Sequence, residues 1–427
     1  MQRGEVGESE VKVKSPYAVS AVFCVITLVE LDSLKKIVKD TVDAKRPVLE
    51  DIAKYLYNNP ELGSEEFKAY AKITKVLEDH GFKVEKGAYG MPTAFIASYK
   101  GKGPGPRVAV LAEYDALPGV GHGCGHDLIA ASAVGAGIAA SKAIKDLNGE
   151  VLVIGTPAEE GHGPSAGSKV IMANKGLFDT VDGVVMLHPS TSWGVGNQAL
   201  GISKCRMVFK GQTSHAAASP HLGRNALNAA TLAYTATHML RQEARRDANL
   251  VIHGIIEEGG TAMNIIPDRA VLDFGVRSSD QIYLDEMVDK VARCGEGAAH
   301  AMGVEVEITK NRFYASKKLN YPLIKTLWQN YKDQGVPVKD WKESVKAMPM
   351  ASTDYGDVSQ KTPSAGSYIG IAPEGTPGHS VQLAQASMTK TGLDAMIVGT
   401  KALGMTLVEL LAKPEILKEA KEYFNSH

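Results

Sequence analysis

Apolar positions change their period several times along the chain. Over residues 31–58 they recur every three and four places, the spacing of one buried helix face, and Asn59-Pro60 ends the run. A second helix is predicted over 64–80, with Ser64 as N-cap and an acidic first turn. Phe67 stands where a capping box would need Glu or Gln, so the box is incomplete. After Gly81 short apolar runs of strand type appear at 94–99, 107–112, 150–155 and 183–187. Helical stretches at 128–144 and 168–175 separate the later ones. This alternation predicts a largely parallel sheet with helices on its faces.

Near Gly201 the pattern shifts to strand 202–209, helix 225–244, strands 250–256 and 270–276, helix 284–301 and strand 304–310. A β-α-β-β-α-β order of this size fits a small ferredoxin-like α+β sandwich. Beyond Tyr314 the first rhythm returns and ends in helices over 392–411 and after Pro414. The expected class is therefore α/β, with a main domain in two pieces, 31–200 and 314–427, an inserted domain at 201–313, and an extension of unknown role at 1–30.

Composition narrows the partners. Of 427 residues, 22% are charged with a net charge of −1, which gives no electrostatic basis for binding nucleic acid. The four cysteines are too few and too dispersed for a disulfide framework and fit a reducing, cytoplasmic setting. The apolar stretch 15–29 is short of the roughly 20 residues a membrane span needs. It resembles the hydrophobic region of a signal peptide but lacks a clear cleavage site, so no membrane role is expected while secretion stays open.

Candidate chemistry gathers where apolar strands end. The run VAVLAEYDALP delivers Glu113 and Asp115, VLVIGTPAEE delivers Glu159 and Glu160, and GVVMLHP delivers His188. In parallel sheets that edge is where ligands bind. The stretch GHGCGHD, residues 121–127, sets Cys124 and His126 on either side of Gly125. A structural zinc site would need a second close Cys/His pair, which the chain lacks. A catalytic metal site instead takes fewer soft ligands with a carboxylate, and Glu160 and His188 fit it. The adjacent Glu159 and Glu160 allow one to bind metal while the other stays free as a base.

Two other readings fail on context. The glycines at 119, 121, 123 and 125 are out of register for a dinucleotide fingerprint. Residues 163–167, GPSAG, match GxSxG, but TPAEEGH separates them from the preceding strand, where a nucleophile elbow needs direct contact.

Taken in order, AEYDALPGVGHGCGHDLIA, GTPAEEG, MLHP, SHAAASPHLGRNAL, VIHGIIEEGG, MNIIPDRA and STDYGDVS resemble metallopeptidase family M20, of the aminoacylase/carboxypeptidase type. The similarity is greatest to its cysteine-containing amidohydrolases and their β-alanyl-lysine dipeptidase group. The resemblance implies two divalent ions, zinc or manganese, held by Cys124, His126, Glu160, His188 and His379, with Glu159 as general base and Asp115 orienting the site. It implies a homodimer in which His215 of the inserted domain assists across the interface, and substrate contacts from Asn264 and Arg277. The implied reaction is hydrolysis of a dipeptide or N-acyl amino acid, β-alanyl-lysine-type dipeptides first and aminobenzoyl-glutamate as the alternative. An inactive binding protein on the same fold is the remaining class. Glu113 is given no ligand role.

Overall fold

The computed structural model describes residues 28–347 and 351–427. Cys24 and the apolar stretch 15–29, apart from its last two residues, lie outside the described residues. In chain order the described strands are β1 (Lys83–Lys86), β2 (Phe95–Lys100), β3 (Gly103–Ala112), β4 (Asn148–Gly155), β5 (Gly183–Ser190), β6 (Gly194–Val195), β7 (Gly201–Lys210), β8 (Val251–Glu258), β9 (Arg269–Ser278), β10 (Glu305–Tyr314) and β11 (Ser364–Gly370).

Seven of them form one sheet in the order β1-β2-β4-β3-β5-β11-β6. Its inner strands β4, β3, β5 and β11 are mutually parallel. Val110, Val153 and Val185 lie in one cross-strand row and are fully buried, as near-continuous apolar strands covered on both faces require. Helix His126–Ala143 is buried along almost its whole length. Its Ala and Gly residues let it lie close to the sheet: a Cβ on Gly137 would sit 2.3 Å from Val153 Cγ2. Helices Leu28–Asn58 and Lys390–Ala412 pack beside it. The latter is long and apolar enough to cross a membrane, but 89% of its most apolar window is buried in the protein, which makes it a core helix.

The other four strands make an antiparallel sheet in the order β10-β7-β9-β8. Helices Ala226–Met239 and Gln281–Met302 cover one face, and Met207, Phe209, Leu272, Phe274 and Val291 close a second core there. This is the ferredoxin-like arrangement expected from the order of elements. Strand β8 is one of its two edges and exposes Val251 and Ile255.

Two expectations are corrected. Ser64 does not cap the second helix, which runs Phe67–Asp79; Ser64 has φ +70°, and its hydroxyl instead accepts from Ser165 N at 2.9 Å and donates to His162 O at 3.0 Å. Glu61 satisfies the helix start by accepting from Lys68 N and Ala69 N. The helix expected over 225–244 ends at Met239 and tightens into a 3₁₀ turn, Leu240–Glu243.

Candidate functional site

The parallel strands bring their C-terminal ends to one edge. Beyond β3 lie Glu113 and Asp115, beyond β4 lie Glu159 and Glu160, and His188 sits within the end of β5. The turn between β3 and the central helix supplies Cys124 and His126. Gly125 joins them at φ +80°, and a Cβ there would approach Pro189 Cγ to 2.6 Å. Only glycine allows both the left-handed turn and this contact, which sets Cys124 against His188.

The donors converge. Cys124 Sγ lies 3.3 Å from His188 Nε2 and 3.6 Å from His379 Nε2. Glu160 Oε1 is 3.6 Å from His379 Nε2 and 4.0 Å from His126 Nε2. Two triads of donor atoms share the thiol, Cys124/His126/His188 and Cys124/Glu160/His379, and within each the atoms lie no more than 4.8 Å apart. His379 comes from a loop some 190 residues beyond His188 and has φ +53°, a left-handed backbone uncommon outside glycine and of the kind that collects at functional sites.

The imidazoles are aimed. His126 Nδ1 donates to Asp115, with Oδ1 and O both at 2.9 Å, which leaves Nε2 facing the cluster. His188 Nδ1 donates to Pro189 O at 2.7 Å, which likewise turns Nε2 inward. Carboxylate and carbonyl acceptors behind imidazoles are the usual support of metal-binding histidines. Asp115 also accepts from Glu160 N through its other oxygen, at 2.9 Å, so one carboxylate orients two donors.

The chemistry of the cluster suits cations. His126 Nε2 and Glu160 Oε1 are buried without a hydrogen-bond partner, a costly state that a bound ion relieves. Burial pushes the Cys124 thiol up to about 12 and lowers His188 to about 4, so His188 is neutral as ligation requires. Burial, then Glu113 and Asp354, push Glu159 up to about 8. Burial opposes charge on His126 too, but Cys124 and Asp115 outweigh it and hold the imidazole well above its usual range. A metal ion would displace the proton for which Cys124 and His126 compete, and would favour the ionised forms of Cys124 and Glu159.

A second charged group lies behind this one. The Lys169 ammonium is fully buried, 2.7 Å from Glu113 Oε1 and 2.5 Å from Asp354 Oδ1. Glu113 Oε2 in turn reaches to 3.5 Å from His126 Nε2. Thr353 Oγ1 donates to Glu159 Oε1 at 2.9 Å, and Tyr314 OH donates to Glu159 O at 3.3 Å. Glu66, buried as well, accepts from Ala158 N and Thr93 Oγ1, both at 2.8 Å, and so pins Ala158, which has φ +55°, immediately before the paired glutamates. Sequence reasoning missed Lys169, Thr353 and Glu66. The one available signal was that STDYGDVS, which contains Thr353 and Asp354, belongs to the motif series.

The remaining expected residues lie apart. His215 is exposed in a loop that pairs with Ile265, and among the described residues no hydrogen bond or ion pair links it to the cluster. Its Nδ1 accepts from Ala217 N at 3.2 Å and Ala218 N at 3.0 Å, so the neutral ring carries its proton on Nε2. Asn264, also exposed, accepts from Ala216 N through its carbonyl at 2.9 Å. Arg277 reaches further: Nη1 donates to Ser352 Oγ at 2.9 Å, next to Thr353. It does not pair with Asp280, which Arg245 takes at 2.8 Å.

The profile of peptidase family M20/M25/M40 matches residues 109–408. The chain is 32% identical over 409 residues to a Xaa-Arg dipeptidase of Mus musculus, covering 92% of this chain and 93% of that one. It is 29% identical over 465 residues to a p-aminobenzoyl-glutamate hydrolase chain of Escherichia coli, covering 92% and 95%. Among solved structures, a dinuclear metal-binding peptidase of family M20 from Bacillus subtilis superposes with a TM-score of 0.69 at 20% identity, over 86% of this chain and 99% of that one. A putative aminohydrolase from methicillin-resistant Staphylococcus aureus gives a TM-score of 0.75 at 22% identity, over 88% and 100%. At these identities the two structures speak for the fold.

Proposed function

We propose, from the premise that the chain belongs to peptidase family M20/M25/M40, that it is a metal-dependent hydrolase cleaving the amide bond of dipeptides or N-acyl amino acids. The observation that carries this is the meeting of Cys124, His126, Glu160, His188 and His379 with Glu159 alongside. These five would hold two divalent ions, zinc being favoured by the thiolate and manganese second. The ions would supply Lewis acidity, polarising the scissile carbonyl and acidifying a water. Glu159, held by Thr353 through one oxygen, takes a proton from the attacking water through the other and passes it to the leaving amine. Asp115 keeps His126 turned inward. Arg277 holds the substrate's free carboxylate with its remaining N–H groups.

For the substrate, we take dipeptides with a basic C-terminal residue first, of which β-alanyl-lysine is the type. The support is the chain's 32% identity to Xaa-Arg dipeptidases of Mus musculus and Homo sapiens. Aminobenzoyl-glutamate is the second reading, favoured by the relative from Escherichia coli. Protein incubated with a strong chelator should lose cleavage of a dipeptide panel and regain it on adding zinc or manganese. Cleavage indifferent to chelation would remove the metal reading.

The exposed edge of β8 supports pairing with a second copy, which would carry His215 and Asn264 to the partner's cluster, His215 donating Nε2–H to the developing oxyanion. H215A and E159Q would then each be inactive alone. Mixed and allowed to exchange protomers, they should recover about a quarter of wild-type activity, because half of the dimers are mixed and one of their two sites is intact. No recovery in such exchanged mixtures would place His215 in its own chain's site, and an active H215A would place it outside catalysis.

A further inference from the structure

Three consecutive residues, Ser352, Thr353 and Asp354, each bond a different charged group. Ser352 Oγ accepts from Arg277 Nη1 at 2.9 Å. Thr353 Oγ1 accepts from Tyr355 N at 3.2 Å, which commits its single proton to Glu159 Oε1 at 2.9 Å. Asp354 binds the Lys169 ammonium at 2.5 Å and accepts from Lys169 N at 3.3 Å. The turn is therefore anchored from below by a buried cation while its two hydroxyls face separate partners. Arg277 comes from β9 of the smaller sheet, and Glu159 from the edge of the larger one. Among the described residues, these two hydroxyls are the hydrogen-bond link between that arginine and the glutamate.

We infer that Ser352 and Thr353 are positioning residues which set the Arg277 guanidinium and the Glu159 carboxylate at a fixed separation, Ser352 acting on substrate binding and Thr353 on proton transfer. The inference rests on the proposed function, in which Arg277 meets the substrate's carboxylate and Glu159 the attacking water. With Thr353 occupying Oε1, the second oxygen of Glu159 is left to carry the proton, and the carboxylate is kept from swinging toward the cations as a further ligand. That restraint matters because Glu159 has an oxygen within 4.8 Å of donor atoms of His126 and Glu160.

The two hydroxyls predict opposite kinetic signatures. S352A should raise KM for a dipeptide about tenfold with kcat little changed, and should have no effect on the same dipeptide amidated at its C-terminus. T353V should lower kcat about tenfold or more with KM little changed, and T353S should restore most of it. A merely structural turn would move both constants together in both variants. The readout independent of turnover is crystallographic: in metal-loaded T353V, Glu159 should leave its position while Cys124, His126, Glu160, His188 and His379 keep theirs. Glu159 unmoved in T353V, or kcat and KM shifting together in both variants, would overturn the inference. A metal-loaded wild type that cleaves no member of the panel would sink the proposed function instead and leave the position of Glu159 to decide the present one.

Discussion

Replacing Glu159 with Gln should lower kcat by about a thousandfold, since positioned acid–base groups contribute roughly 10²–10⁴. That corresponds to about 4 kcal/mol of transition-state stabilisation. Metal content and KM should stay near wild type. The amide keeps the size of the carboxylate, and its oxygen can still accept from Thr353 Oγ1, now at 2.9 Å from Glu159 Oε1. The five donors that frame the cluster are untouched. What is lost is the capacity to accept a proton. Steady-state kinetics with metal analysis on the same sample test this. A variant that turns over normally would remove Glu159 from the chemistry. One that loses metal would show that Glu159 ligates, an alternative the geometry permits because Glu159 groups with His126 and Glu160.

How much of this was visible in the chain depends on how each residue is placed. Asp115, Glu159, Glu160 and His188 sit at the ends of apolar strands, so the alternation of period located them before any contact was known. Cys124 and His126 stood out through the glycines around them, and Gly125 at φ +80° is the physical reason for those glycines. His379 carried no such mark: its loop follows no periodic segment, and its side chain is 60% exposed, so only the resemblance named it. Lys169 was invisible for the opposite reason. In SAGSKVIMANK it reads as a solvated lysine opening a short helix, and its full burial depends on Glu113 and Asp354, which lie 56 residues before it and 185 after. Ser64 misled because a serine ahead of acidic residues is the pattern of an N-cap, whereas its hydroxyl is taken by the loop that follows Glu160. In each failure the deciding partner is distant in sequence, where local periodicity carries no information.

Replacing Lys169 should be strongly destabilising. Its ammonium lies between Glu113 and Asp354, and all three side chains are at most 1% exposed. Burial alone would favour the neutral forms. Against it, Lys169 and then His126 hold Glu113 below the usual carboxylate range, while Asp354 remains pushed up to about 6 by burial. The K169M variant keeps the apolar stem and deletes the charge. It leaves two carboxylates facing each other in a dry interior, and breaking a buried pair in this way costs about 3–5 kcal/mol. Both carboxyls would then titrate above their unfolded values, so the folded state would bind more protons than the unfolded one. Their penalty is absent below the unfolded pKa values and grows as pH rises through the folded ones. Metal-free K169M should therefore unfold more readily than wild type at pH 8, with the gap narrowing toward pH 5. Adding E113Q and D354N to K169M should recover much of the loss, since no buried charge is then left unpaired. Denaturant unfolding of the variants at the two pH values measures this. A K169M protein as stable as wild type at pH 8 would mean that water reaches the triad and that Lys169 does not compensate buried charge.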